Sequence, residues 1–310
     1  MRRQIFIAAL AISWLIFAMV GQAQAELIVV VTANNRVITF DSATPGTTSS
    51  PTAITGLQDG EDIVGIDRRP ANGQIYALTS NNRVYTIDPN TGVATFVSTL
   101  NNGSGGTVTL NGTRFGVDFN PVPDRLRVTS NAEQNLRINV DTGATILDGT
   151  LAFASTDVNA GQDPNIVGSA YANNFAGTPT TTLYGIDARS NSLVIQNPPN
   201  SGTLNTVGQL GFNTDGLVGF DISGLTGVAY AALNPQAEGA TFSLLFRIDL
   251  ATGGATLLGQ IGNGFRIVGM AVPIGNAIPE PATLLLLGTG LAGIGAAVRR
   301  RRKAHKNEEA

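Results

Sequence analysis

The chain contains no cysteine and one histidine, His305, in 310 residues. The first absence excludes a disulfide scaffold, Cys-based zinc sites and cysteine nucleophiles. The second leaves imidazole chemistry to one residue in a basic tail and denies the rest of the chain a Ser-His-Asp arrangement. Charge is thin as well, at 13% of residues, and lysine is missing altogether from Glu26 to Ile278. Those 253 residues hold 11 arginines against 19 aspartates and glutamates. That balance argues against nucleic acid and anionic lipid as partners of this segment, since affinity for phosphate rests on positive charge. A cation, a neutral glycan or a basic protein patch fits it. What the chain does have is 43% apolar residues and 37 glycines, enough for a core and many turns and too apolar for general disorder.

The two ends differ from the rest. Arg2 and Arg3, an apolar run from Ile5 to Val20, and Ala23-Gln24-Ala25 form the n-region, h-region and cleavage site of a secretory signal peptide. Residues 1–25 are read as that peptide, removed by signal peptidase so that the mature chain starts near Glu26. An uncleaved anchor is the competing reading, but the apolar run is short for a bilayer and a cleavage site follows it directly. At the other end, Ala282 to Val298 is an uncharged stretch of 17 residues followed by Arg299, Arg300, Arg301, Arg302, Lys303 and Lys306. A helix that long covers about 26 Å, slightly short of the roughly 30 Å hydrocarbon layer, a gap that snorkelling arginines can close. The reading is a transmembrane helix over 282–298 and a basic cytoplasmic tail over 299–310, with a buried apolar helix as the alternative.

Just before that stretch stand Pro279, Glu280 and Pro281. Tripeptide, apolar stretch and arginine cluster, in that order and paired with an N-terminal signal, resemble the PEP-CTERM sorting signal of bacteria that produce extracellular polysaccharide. The resemblance implies an exosortase-like membrane enzyme that recognises the motif at 279–281 and cleaves near it. It also implies export through the inner membrane, transient anchoring by the C-terminal helix, and final placement at the cell surface or in the extracellular matrix. Exopolysaccharide or another surface protein is the partner it suggests for the body.

The body repeats. Val64-Gly65, Phe115-Gly116, Val167-Gly168, Val218-Gly219 and Val268-Gly269 place glycines 51, 52, 51 and 50 residues apart. Within the best-defined unit, Ile63 to Asp67, Gln74 to Thr79, Arg83 to Asp88 and Thr95 to Thr99 read as four short strands joined by turns, with no helical periodicity between them. Each unit is therefore an antiparallel meander. The N-terminal unit, with strands Leu27 to Val31, Val37 to Asp41 and Thr52 to Thr55, lacks a first strand. Ile267 to Val272 is a first strand that lacks the other three. The two fragments complete one another, so residues 26–278 are expected to form an all-β, five-bladed β-propeller of four-stranded blades, closed by pairing of N- and C-terminal strands and monomeric. An open β-solenoid competes, but its coils are usually shorter than about 30 residues and it leaves the complementary half-units unexplained. Six blades would require an undetected repeat.

Gly65-Ile66-Asp67-Arg68-Arg69-Pro70 and Tyr85-Thr86-Ile87-Asp88 resemble an uncharacterised bacterial family with Gly-Ile-Asp-x-Arg-Pro and Tyr-x-Ile-Asp repeats, and the resemblance implies no catalytic role. Asp67, Asp118 and Asp221 occupy equivalent positions on the strands expected to line the axis, where the other two units carry Ala170 and Ala271. Three such carboxylates form a candidate channel or ligand site. They would repel one another unless protonated, hydrogen-bonded or shared by a cation, for which calcium is the natural candidate. The plainer reading has each accept backbone amides from a neighbouring blade around a water-filled channel. A carbohydrate-active enzyme using these inner-strand carboxylates is the alternative to a binding or structural module. A second set, Asp41, Asp88, Asp141 and Asp249, reads as turn-forming. Arg36, Arg83, Arg137 and Arg247 are expected to pair between blades, and Tyr76, Tyr85 and Phe96 to sit in the core.

Overall fold

The computed structural model describes residues 25–275, and apart from one 3₁₀ turn its regular elements are strands. In chain order they are β1 (Leu27–Thr32), β2 (Arg36–Asp41) and β3 (Thr52–Ala53); then β4 (Ile63–Arg68), β5 (Ile75–Thr79), β6 (Arg83–Ile87) and β7 (Ala94–Thr99). They continue with β8 (Phe115–Asn120), β9 (Arg125–Ser130), β10 (Asn135–Ile138) and β11 (Thr145–Leu147). The third group is β12 (Ala152–Phe153), β13 (Ile166–Tyr171), β14 (Leu183–Asp187), β15 (Ser192–Gln196) and β16 (Thr203–Gln209). Last come β17 (Thr214–Ile222), β18 (Ala229–Pro235), β19 (Leu244–Ile248), β20 (Ala255–Gln260) and β21 (Ile267–Ala271).

These strands make five sheets, the blades of a β-propeller. The first, second and fourth blades are the meanders β4–β7, β8–β11 and β17–β20. The fifth has the order β21-β1-β2-β3, so the C-terminal strand pairs antiparallel with the N-terminal one, Val29 opposite Ala271 and Val31 opposite Gly269. The third blade differs from expectation: β12, from the connection out of the second blade, lies parallel to β16 and adds a fifth strand. A two-residue strand carries almost no sequence pattern, and only the path of the connection past an unpaired edge creates it.

The core lies between blades rather than within them. Tyr76 and Leu78 meet Phe119 and Leu126 across the first seam. Ile186 and Leu193 meet Phe220 and Phe246, Tyr230 and Leu245 meet Ile28 and Met270, and Val29 and Val31 meet Ile63 and Tyr85. Each such side chain, fully buried, contributes about 1.5–3 kcal/mol. The seam between the second and third blades has a polar centre. There Arg127, buried, donates to Asp148 at 2.6 Å, Asn135 at 2.8 Å, Asn200 at 2.7 Å and Tyr171 at 3.3 Å.

Several expectations are corrected. The transmembrane helix over 282–298 and the anchoring drawn from it find no support, since no helix among the described residues is long and apolar enough to cross a membrane. The stretch itself lies outside the described residues, as do the signal peptide at 1–25 short of Ala25, the motif at 279–281 and the tail at 299–310. Phe96 is exposed rather than core, and Arg83 stacks over its ring at 5.5 Å. The expected arginine pairing between blades is also displaced. Arg137 pairs with Asp148 of its own blade, whereas the seam-crossing pairs come from Arg266, which holds Asp215 at 2.5 Å, and from Arg69, which holds Asp124 at 2.6 Å and Asp141 at 2.7 Å.

That last contact shows that Asp141 is not the counterpart of Asp88. Asp41, Asp88 and Asp249 each accept an amide two residues on, as turn formers do. In the second blade Asn139 takes that role, accepting from the Asp141 amide, with Gly143 four residues beyond it as Gly92 is beyond Asp88. Asp141 is left free for Arg69, whose hydrogen bonds hold its carboxyl below the usual range.

Candidate functional site

The inner strands β4, β8, β13, β17 and β21 stand side by side around the axis, each touching the next. Their shared register stacks three layers. At the outer end are Val64, Phe115, Val167, Val218 and Val268; next come Gly65, Gly116, Gly168, Gly219 and Gly269; beyond these lie Asp67, Asp118 and Asp221.

The glycine layer seals the axis. A Cβ on Gly116 would lie 2.6 Å from the Ser169 amide nitrogen, and one on Gly269 would lie 2.7 Å from that of Ile66. Only the absence of side chains lets five inner strands approach this closely. The residual void there is about 10 Å³, at the lower limit for one water, so the axis is not an open channel.

Asp67, Asp118 and Asp221 converge below this seal, fully buried, with one oxygen of each within 4.8 Å of the others. Five backbone amides point at them. Asp67 Oδ2 accepts from Phe119 of the second blade at 2.7 Å, Asp118 Oδ1 from Tyr171 of the third at 3.0 Å, and Asp221 Oδ2 from Val272 of the fifth at 2.7 Å. The amides of Arg68 and Ile222 follow blades that carry Ala271 and Ala170 in place of aspartate. Each is taken by the preceding residue of its own chain, Asp67 Oδ1 and Asp221 Oδ1, both at 2.6 Å. Three carboxylates thus satisfy five equivalent amides, and of their six oxygens only Asp118 Oδ2 has no partner.

Burial pushes all three carboxyls up. Asp67 and Asp118 rise well above the usual range, mutual repulsion adding to desolvation. Asp221 rises to about 7, held there by the amides of Val272 and Ile222. The trio offers calcium three of the six to eight oxygens it takes. Its burial also closes it to a glycosidic bond, which must lie between an exposed acid and base.

The opposite side of the glycine seal is open. A pocket of about 420 Å³ has the Val64, Phe115, Val167, Val218 and Val268 layer as its floor and a rim that includes Asp62, Ser80, Thr113, Arg114 and Arg266. Arg266 pairs with Asp215 at 2.5 Å, while Arg114 makes no ion pair among the described residues. Sequence reasoning found the floor as a repeated dipeptide without recognising it as a floor. It missed the rim, whose residues come from loops of different blades and share no motif.

Fold and axial layers together define a five-bladed β-propeller in an exported protein. Residues 277–302 match the PEP-CTERM protein-sorting motif, which marks the chain as a PEP-CTERM-sorted protein processed by an exosortase-like membrane enzyme. Residues 36–271 match the family described as Domain of unknown function (DUF4394), and the chain belongs to that family. No curated protein matches it in sequence. Similar solved structures include a protein of unknown function from Bacteroides thetaiotaomicron, 14% identical with a TM-score of 0.43, covering 76% of this chain and 58% of that one. The chain therefore spans under two thirds of that protein's length. Others are the nidogen/laminin complex, at 14% identity and TM-score 0.44 with 80% and 86% covered, and a Lactobacillus plantarum protein, at 17% and 0.33 with 80% and 71% covered.

Proposed function

We propose that this protein is a surface-sorted binding module of the extracellular matrix, which takes a ligand into the pocket at the open end of its axis and associates there with extracellular polysaccharide. The observation that carries this reading is the pocket itself. It is concave, apolar at its floor, polar at its rim, and of a size that ordinary small-ligand sites have. In this reading the signal peptide at 1–25 is removed, and Pro279, Glu280 and Pro281 direct sorting without contributing to the fold. The test is retention of the purified protein on polysaccharide isolated from the producing cells. Ala33→Trp, at an exposed rim position, should fill the mouth and abolish retention while leaving the melting temperature unchanged. Undiminished retention by that variant would overturn the pocket as the binding site.

Asp67, Asp118 and Asp221 serve, in this proposal, as a staple for axial amides rather than as a calcium site. The complete pairing of five amides supports it. Calorimetric titration with calcium should give no saturable heat and no melting shift. A cation bound by the folded state alone would add about 2.7 kcal/mol at one hundred times Kd, and such a gain, erased by changing all three residues to Asn, would give the trio to the metal.

A further inference from the structure

We infer that the ligand class of the axial pocket is a carboxylate-bearing sugar, a uronate, with Arg114 as its anion-recognising residue; this rests on the pocket being the binding site. The first observation is charge. Between Glu26 and Ile278 acids outnumber arginines 19 to 11, yet the pocket lining carries two arginines, Arg114 and Arg266, against one carboxylate, Asp62. With Asp215 paired to Arg266 the pocket is charge-balanced on an acidic body, and Arg114 is its guanidinium without an ion pair among the described residues. Low-dielectric walls focus the field of that guanidinium, which favours an anion beside it.

The second observation is which arginine is free. Of the pocket's two arginines, Arg266 is held by Asp215 at 2.5 Å. Arg114 donates from Nη1 to its neighbour's carbonyl, Thr113, at 2.9 Å, and the rest of its guanidinium has no protein acceptor among the described residues. A planar guanidinium presents parallel donors that match a carboxylate in bidentate fashion.

The third is the floor. A pyranose ring presents an apolar C–H face, which Val64, Phe115, Val167, Val218 and Val268 can cover, and hydroxyls at its edge, which Ser80, Thr113 and Asp62 can meet on the rim. A neutral sugar would leave Arg114 unanswered. A simple inorganic anion would leave the floor uncovered.

The test is calorimetric titration of the full-length protein with digalacturonic acid, its methyl ester and neutral galactobiose, on wild type, Arg114→Gln and Ala33→Trp. The acid should bind at least tenfold more tightly than the ester or the neutral sugar. Arg114→Gln should remove that preference, while residual binding of the neutral sugar stays unchanged as the sign of an intact pocket. Equal affinity for acid and ester, or an acid preference that survives Arg114→Gln, overturns the ligand class. Loss of polysaccharide retention in Ala33→Trp without any acid preference would do so while leaving the pocket as the site. Retention unaffected by Ala33→Trp would remove the pocket as the site.

Discussion

A backbone amide that faces a sealed axis has no water to turn to, and an unanswered one costs about 1–3 kcal/mol. The three aspartates answer five such amides, which leaves one oxygen, Asp118 Oδ2, facing the carboxyl of Asp221 in a site too buried to hold three negative charges. A proton belongs there. Because the folded-state carboxyls sit above their unfolded value of 3.8, the folded protein binds protons that the unfolded chain releases. The resulting stability is complete below about pH 4 and is lost as pH rises through the Asp221 value near 7. The melting temperature, followed by calorimetry, should fall between pH 5 and pH 8; Asp118→Asn should flatten that slope and melt no lower than wild type at pH 8. A wild-type profile flat over this range would refute the shared proton. Asp88, Asp141 and Asp249, whose carboxyls are lowered, act only below pH 4 and leave this window clear. The glycine layer makes a separate prediction. Gly116→Ala puts a methyl 2.6 Å from the Ser169 amide nitrogen and 2.7 Å from the Gly168 carbonyl carbon, backbone that cannot yield as the neighbouring Ser169 hydroxyl can, and should cost about 1–3 kcal/mol by denaturant titration. The same change at exposed Gly46, whose nearest neighbour would be 3.9 Å away, should cost little.

Between elements, four seams have apolar centres and one does not. Burying Arg127 at the junction of β9, β10 and β13 succeeds because Asp148, 6% exposed, answers its charge and Asn135, Asn200 and Tyr171 its remaining N–H groups. Arg127→Ala leaves that carboxylate with only partly exposed Arg137, and should cost about 3–5 kcal/mol in equilibrium unfolding. Arg69→Ala should cost less, because Asp141 is 57% exposed and water replaces the lost pair. If the two variants lose the same stability, the polar seam is not the special element described. Nothing in the sequence singled out Arg127. Its importance comes from partners 8 to 73 positions away, which no local pattern joins.

At the scale of the molecule, the fifth blade is the closure. β21 supplies its inner strand and touches both β17 and β4, so one five-residue segment completes a sheet and the ring together. Deleting residues 267–271 should bare the edge of β1 and open the axis, giving aggregation by gel filtration and rapid cleavage by a nonspecific protease. A deletion variant that stayed monomeric with an unchanged melting temperature would contradict closure by this strand. Removing residues 277–302, by contrast, should leave the melting temperature unaltered, because that segment follows β21, the last strand among the described residues.

Repetition explains why so much was readable. A unit repeated about every 50 residues displays its turns, its strand alternation and its Val-Gly or Phe-Gly pair several times over, and two incomplete units at the ends predict their own joining. Sequence by itself therefore determined the blade count, the closure, the sorting segment and the equivalence of Asp67, Asp118 and Asp221. Tertiary structure decided what those equivalent positions do. Whether three aspartates line a channel or cap amides depends on how closely five strands approach, which is set by contacts between units and written in none of them singly. The same holds for Arg114 and Arg266, placed on one rim by loops about 150 residues apart. Periodicity encodes what each unit shares, whereas a site on the axis is built from what differs between them.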